Sequence, residues 1–167
     1  LESLNKTIPG TSFNQLEYFL ANTFVGIIKA IANPPAKIQA ILSNIDNSPL
    51  NLYQILGREG SQTKRDNWDL IEKITNAWWL NKYGATGYAP EIIKGIVKFC
   101  RYSDPGYKQL IKKWLAADEL EPEELNKVGL TGWHNEISKE DFSLEAIAVL
   151  GKLSLLHEPL IMVFDQL

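Results

Sequence analysis

The chain has 167 residues, 45% of them apolar and 22% charged, with a net charge of −3. That balance excludes a disordered chain, a collagen and a disulfide scaffold, and the length suffices to build a core without metal or cross-links. The charge is unevenly spread: residues 1–117 carry 14 Lys and Arg against 9 Asp and Glu, whereas residues 118–167 carry 3 against 11.

Residues 1–10 read as a connection, and Thr11 or Ser12 offers an N-cap. Phe13, Leu16, Leu20, Phe24, Ile27, Ile28 and Ile31 then recur at three and four residues, which predicts an amphipathic helix to about Ala32. Asn33-Pro34-Pro35 ends it and opens a second helix through Ile38, Ile41, Leu42 and Ile45, since proline is tolerated in a first turn. Ser48-Pro49 restarts the chain as a short third helix through Leu52, Ile55 and Leu56. Residues 57–64 are polar and read as a loop.

Trp68, Ile71, Ile74, Ala77 and Trp78 carry a helix to about Tyr83, followed by the turn Gly84-Ala85-Thr86-Gly87. Pro90 opens a helix through Ile93, Ile96, Val97 and Cys100. Asp104-Pro105 caps and starts another through Leu110, Ile111, Trp114 and Leu115. Residues 121–129 make a short helical turn, and Thr131 to Ile137 is a loop. Ser138, with Glu140 and Asp141 suited to the positive helix end, starts a helix to about His157. Leu160-Ile161-Met162-Val163-Phe164 follows Pro159 without helical period and ends at Asp165, the pattern of a strand buried on both faces. A lone strand has no ladder partner. Either its sheet lies outside these residues or the run closes a helix.

The chemistry-bearing residues are sparse. His134 and His157 stand 23 residues apart and Cys100 is alone, so no zinc-ligand spacing exists. Cys100 shares an apolar face with Ile96 and Val97 and reads as a buried, inert thiol; a single cysteine fits a reducing, cytoplasmic setting. No apolar run reaches the roughly 18 residues of a membrane span, so no membrane partner is expected. The pattern G-x-x-x-x-G-K-[ST] is absent. Lys94, Lys98 and Arg101 share one helix face and Lys108 and Lys112 another; together they form a candidate phosphate or nucleic-acid face. Glu91 and Asp104 dilute it. The adjacent Trp78 and Trp79 cannot both point one way, which predicts one in the core and one at an edge or interface.

The apolar run ending in Asp165 has the form of a Walker B strand, in which a carboxylate emerges where a nucleotide's Mg²⁺ sits. The steps before it strengthen the pattern. Trp114-Leu115-Ala116-Ala117-Asp118, then Glu124-Leu125, then Val128-Gly129-Leu130, then an apolar helix feeding Leu160–Asp165, resemble the approach to Walker B in bacterial P-loop ATPases related to AAA+ and signal-transduction NTPases. Some members of that group belong to phage-exclusion systems. Its pattern, W-L-x-G-[DE], E-h-x-x-h-G-h and a strand ending in D-E, is matched over roughly residues 110–167. Ala117 stands where glycine is usual, and Gln166 where the family places an acid.

The resemblance implies a mainly α chain. Residues 1–157 would be an insertion-like helical domain of about seven or eight helices, and residues 158–167 one Walker B-like strand of an α/β core beyond it. It also implies a phosphate loop before Leu1, Mg²⁺ held by Asp165, and an attacking water oriented by Gln166. ATP and Mg²⁺ would bind the full-length parent, while none is expected on this fragment alone. The implied partners are the remainder of the ATPase domain, another protein or a nucleic acid. The other reading is a stand-alone helical interaction or regulatory module, onto which the terminal run packs.

Overall fold

The structure, a computed structural model, describes residues 15–31, 33–44, 56 and 60–156. Seven helices stand among them: α1 (Gln15–Ala30), α2 (Ala36–Ser43), α3 (Gln62–Tyr83), α4 (Ala89–Arg101), α5 (Pro105–Leu115), α6 (Pro122–Val128) and α7 (Lys139–Ser154). The fold is mainly α, as the periodicity predicts, and no strand occurs among the described residues. The expected third helix at residues 49–56 falls almost wholly outside these residues. The expected strand at residues 159–164, with His157, Asp165 and Gln166, lies wholly outside them.

Local chemistry explains the helix ends. Ser61 accepts a hydrogen bond from the Lys64 N–H (3.1 Å), so α3 starts inside the polar stretch read as a loop. That first turn needs no apolar period. Gln62 donates to Asp66 (2.6 Å), and Arg65 donates to Gln62 (2.8 Å) and to the Gly60 carbonyl (2.9 Å). Asp104 accepts from Gly106 (2.7 Å) and Tyr107 (3.1 Å) ahead of Pro105, capping α5 as expected. Ser138 caps α7 by accepting from Asp141 N–H (3.1 Å). The Glu121 N–H donates to Glu124 (3.0 Å), closing the start of α6.

Two helix ends use the left-handed region. The α6 end is closed by Gly129 at φ +65°, with the Leu130 N–H reaching back to the Leu125 carbonyl (3.2 Å). The α5 end has the same construction without a glycine. Ala117 stands at φ +61°, and the Asp118 N–H reaches the Lys113 carbonyl (2.9 Å).

α4 sits at the centre, packed against α1, α3, α5 and α7. Of the nine residues from Ile92 to Cys100, all but Lys94 are buried, far more than the single stripe of a surface helix. Gly95 lets the Trp114 ring close in: a Cβ there would meet the ring at 3.0 Å. Cys100 is buried and reduced, as its apolar neighbours predict.

The aromatic residues form two clusters. Phe142 stacks on Trp133 and meets Trp114 edge-on, both at 4.9 Å between centroids, with Tyr88 edge-on to Phe142 at 5.9 Å, and the Trp114 indole donates to the Thr131 carbonyl (3.0 Å). Thus Trp133, on a segment read as a loop, is core. The second cluster corrects the expectation for Trp78 and Trp79, because both are buried. Tyr83 covers the two indoles from the same helix, and Lys152 reaches from α7 over Trp79 (5.4 Å) and Tyr83 (4.9 Å). The 22-residue α3 is flanked by α1 on one side and α4 on another, so adjacent side chains both find cover.

Candidate functional site

The five cations singled out in the sequence divide between two surroundings. Lys94, Lys98 and Arg101 lie on α4 where it packs along α3. Lys94 pairs with Glu91 (3.3 Å) one turn back. Lys98 is nearly buried, with Glu72 of α3 at 3.7 Å, and Arg101 pairs with Asp69 and lies 4.0 Å from Glu72. Burial pushes the Lys98 ammonium below its ordinary pKa, and Glu72 opposes that shift. A polar cleft follows this seam, lined by Asp69, Glu72, Lys73, Asn76, Glu91 and Lys94.

Asp69 and Glu72 are three residues apart, as are Lys98 and Arg101, so two helices laid side by side bring both pairs into register. That matched spacing was the available signal, although only the docking of α3 on α4 makes it meaningful.

Lys108 and Lys112 sit elsewhere, on α5. The Lys108 ammonium lies over the Phe99 ring (5.3 Å), and burial lowers its pKa. Lys112 lines an apolar cavity with Leu20, Ile92, Ile96, Phe99, Leu115, Ala146 and Leu150. The five cations therefore stand in two surroundings, three along the α3 carboxylates and two against apolar neighbours. Phosphate binding at Lys98 and Arg101 would have to displace the α3 carboxylates.

Another surface feature is apolar. Leu144, Ile147 and Leu155 are exposed by 65%, 37% and 75%. With Ala148 and Gly151 they fall on one side of α7, since positions three, four and seven apart share a helix face. A Cβ at Gly151 would meet nothing within 4 Å. The opposite side of α7 holds Phe142, Ala146, Val149 and Leu153 in the core. Exposed aliphatic side chains aligned over three turns mark an interaction surface more than scattered ones do.

α7 also completes the start of α4. The Glu145 carboxylate accepts from the Tyr88 N–H (2.6 Å), placing negative charge at the positive end of α4. Gly87, at φ +62°, makes room, because a Cβ there would stand 2.4 Å from a Glu145 oxygen. The Tyr88 hydroxyl is pushed up to about 12 by burial, with the carboxylate of Glu136 beside it adding to the shift and Glu91 and Glu145 contributing less.

Among the described residues, no group of three or more His, Cys, Asp or Glu stands placed to hold a metal ion. None of their helices is long and apolar enough to cross a membrane. The expected metal carboxylate Asp165 and water-orienting Gln166 are outside the described residues. Comparison with protein-family models, curated proteins and solved structures finds no match for this chain.

Proposed function

We propose that this chain is the helical part of a bacterial P-loop ATPase of the AAA+ or signal-transduction kind, followed by its Walker B strand. In this reading the outward face of α7 seats the helical part against the remainder of the ATPase. The observation that carries the reading is the stripe of Leu144, Ile147, Ala148, Gly151 and Leu155, on the helix that leads into Leu160–Asp165. A helix that hands the chain to a core strand needs an apolar face toward that core.

The two glycine steps of the resemblance lend further support. Positions 117 and 129 both take the left-handed conformation that favours glycine, although one of them is alanine here. Asp165 would hold Mg²⁺ and Gln166 would orient the attacking water. A glutamine there cannot take the water's proton, so hydrolysis would be slow or served by another acid.

The test is the reading frame upstream of Leu1, then calorimetry with Mg-ATP. A G-x-x-x-x-G-K-[ST] within some tens of residues upstream is expected, with micromolar binding by the longer protein that Asp165→Asn weakens. The 167-residue chain alone should bind weakly. Micromolar binding by this chain, or an upstream frame without that motif, would defeat the proposal.

The same stripe favours a second reading, a stand-alone helical module that regulates a partner protein without nucleotide. A start codon at Leu1 and a stop after Leu167 would select it.

A further inference from the structure

We propose that the cleft bounded by α1, α4, α5 and α7 seats a single aliphatic side chain of a partner polypeptide whose neighbouring residues are acidic. The site is independent of nucleotide chemistry, and its surroundings identify the occupant. Leu20, Ile92, Ile96, Phe99 and Ala146 are all buried and form the floor. Leu115, Leu150 and Lys112 are half-buried and form the rim.

The cavity measures about 50 Å³. That exceeds the roughly 15 Å³ one water needs, yet the apolar lining offers a water few partners. It is well short of the roughly 150 Å³ that accepts a benzene ring. The terminal methyl groups of one branched side chain fit this range, whereas an aromatic ring does not.

The charge around the rim supplies the second half of the assignment. α5 carries Lys108, Lys112 and Lys113 and no acidic residue between Pro105 and Leu115. Lys112 lines the cleft itself, Lys113 beside it is exposed, and Lys108 lies one turn back against Phe99. A side chain entering the cleft therefore passes a cationic rim, and acids on either side of it would meet that charge.

The test follows the methyl groups of the intact 167-residue chain by NMR while the acidic peptide EELEE is added to millimolar concentration. Shifts are expected at Ile96, Leu115 and Leu150. Replacing the peptide's leucine with alanine, or its acids with lysine, should weaken binding about tenfold or more. Lys112→Glu should do the same, and Ala146→Leu, which fills the cleft, should abolish the shifts while circular dichroism reports an intact fold. If Ala146→Leu does not fold, Lys112→Glu and the peptide series decide.

Several results would overturn the proposal. They are unchanged methyls at millimolar EELEE, equal binding of the leucine and alanine peptides, and unweakened binding to Lys112→Glu. Nuclear Overhauser contacts from residues 1–14 to the Leu115 and Leu150 methyls in the free chain would make the chain its own occupant. Equal binding of free 4-methylpentanoate would make the ligand a small acid.

Discussion

The two left-handed helix ends allow a paired test in which similar substitutions should have unequal effects. Ala117 stands at φ +61° and is 1% exposed, whereas Gly129 stands at φ +65° with open space except for the end of Lys98. A side chain in this region costs about 1–2 kcal/mol relative to the right-handed form. Ala117→Gly should release that cost. It should also lose about 0.8 kcal/mol of methyl burial and about 0.4–1 kcal/mol through the freer unfolded chain. These contributions nearly cancel, so stability should change by less than about 1 kcal/mol.

Were Ala117 an ordinary right-handed helical residue, no strain would be released. The same change would then cost about 1 kcal/mol of helix propensity on top of the lost methyl. Gly129→Ala runs the other way. Strain of about 1–2 kcal/mol is offset by about 0.4–1 kcal/mol from the stiffer unfolded chain, leaving a net loss near 1 kcal/mol. Its Cβ would stand 3.2 Å from the Lys98 ammonium, which can give way at the expense of its 3.7 Å contact with Glu72. Urea unfolding followed by tryptophan fluorescence, with equal m-values, measures both changes. A loss near 2 kcal/mol for Ala117→Gly, or none for Gly129→Ala, would refute the reasoning.

Three further outcomes follow from named contacts. Glu72→Leu should destabilise by about 1–3 kcal/mol, because it leaves the nearly buried Lys98 without its closest carboxylate; Glu72→Leu with Lys98→Met should recover part of that loss in the same unfolding assay. Gly87→Ala should cost at least about 1–2 kcal/mol, since it adds left-handed strain and drives the Glu145 carboxylate off the Tyr88 N–H; in an Glu145→Ala background the cost should shrink to the strain alone. Tyr88 gives a pH test. Its folded pKa, raised from 10.0 to about 12, means the folded chain retains a proton that the unfolded chain releases between those values. Stability from this group is full below pH 10 and falls as pH rises toward 12. Lys98, shifted down, acts in the opposite sense below 10.5, so the quantity to measure is the difference between wild type and Tyr88→Phe. Wild type should lose more stability than the variant across pH 10–12, and parallel curves would sink the assignment.

The helical order was legible because proline and capping residues punctuate it. Pro34-Pro35, Asp104-Pro105, Glu121-Pro122 and Ser138 all mark starts that the structure keeps. The start of α3 was hidden for a physical reason. Its first turn rests on hydrogen bonds among Gln62, Arg65 and Asp66, which leave no trace in an apolar period. Trp78 and Trp79 were misjudged because a helix wheel assumes one buried side, whereas α3 has neighbours on two. The charged residues show a deeper limit. Spacing places Lys94, Lys98 and Arg101 on one face but is blind to Asp69 and Glu72 on another helix. Likewise, only the packing of Phe142, Ala146, Val149 and Leu153 in the core shows that Leu144, Ile147 and Leu155 lie outside it.

α4 links parts of the chain that lie far apart. Its neighbours come from before it, in α1 and α3, and from after it, in α5 and α7. A break at the Gly84–Gly87 turn would strip the α1 and α3 cover from a helix buried nearly all round. Neither half would keep a closed core, so the two should melt together as one cooperative unit. Protection from hydrogen exchange should then be greatest in the backbone from Ile96 to Cys100, which opens only when the whole domain does. Such a rod also leaves little slack between its two ends. The Glu145 carboxylate on the Tyr88 N–H ties the start of that rod to α7.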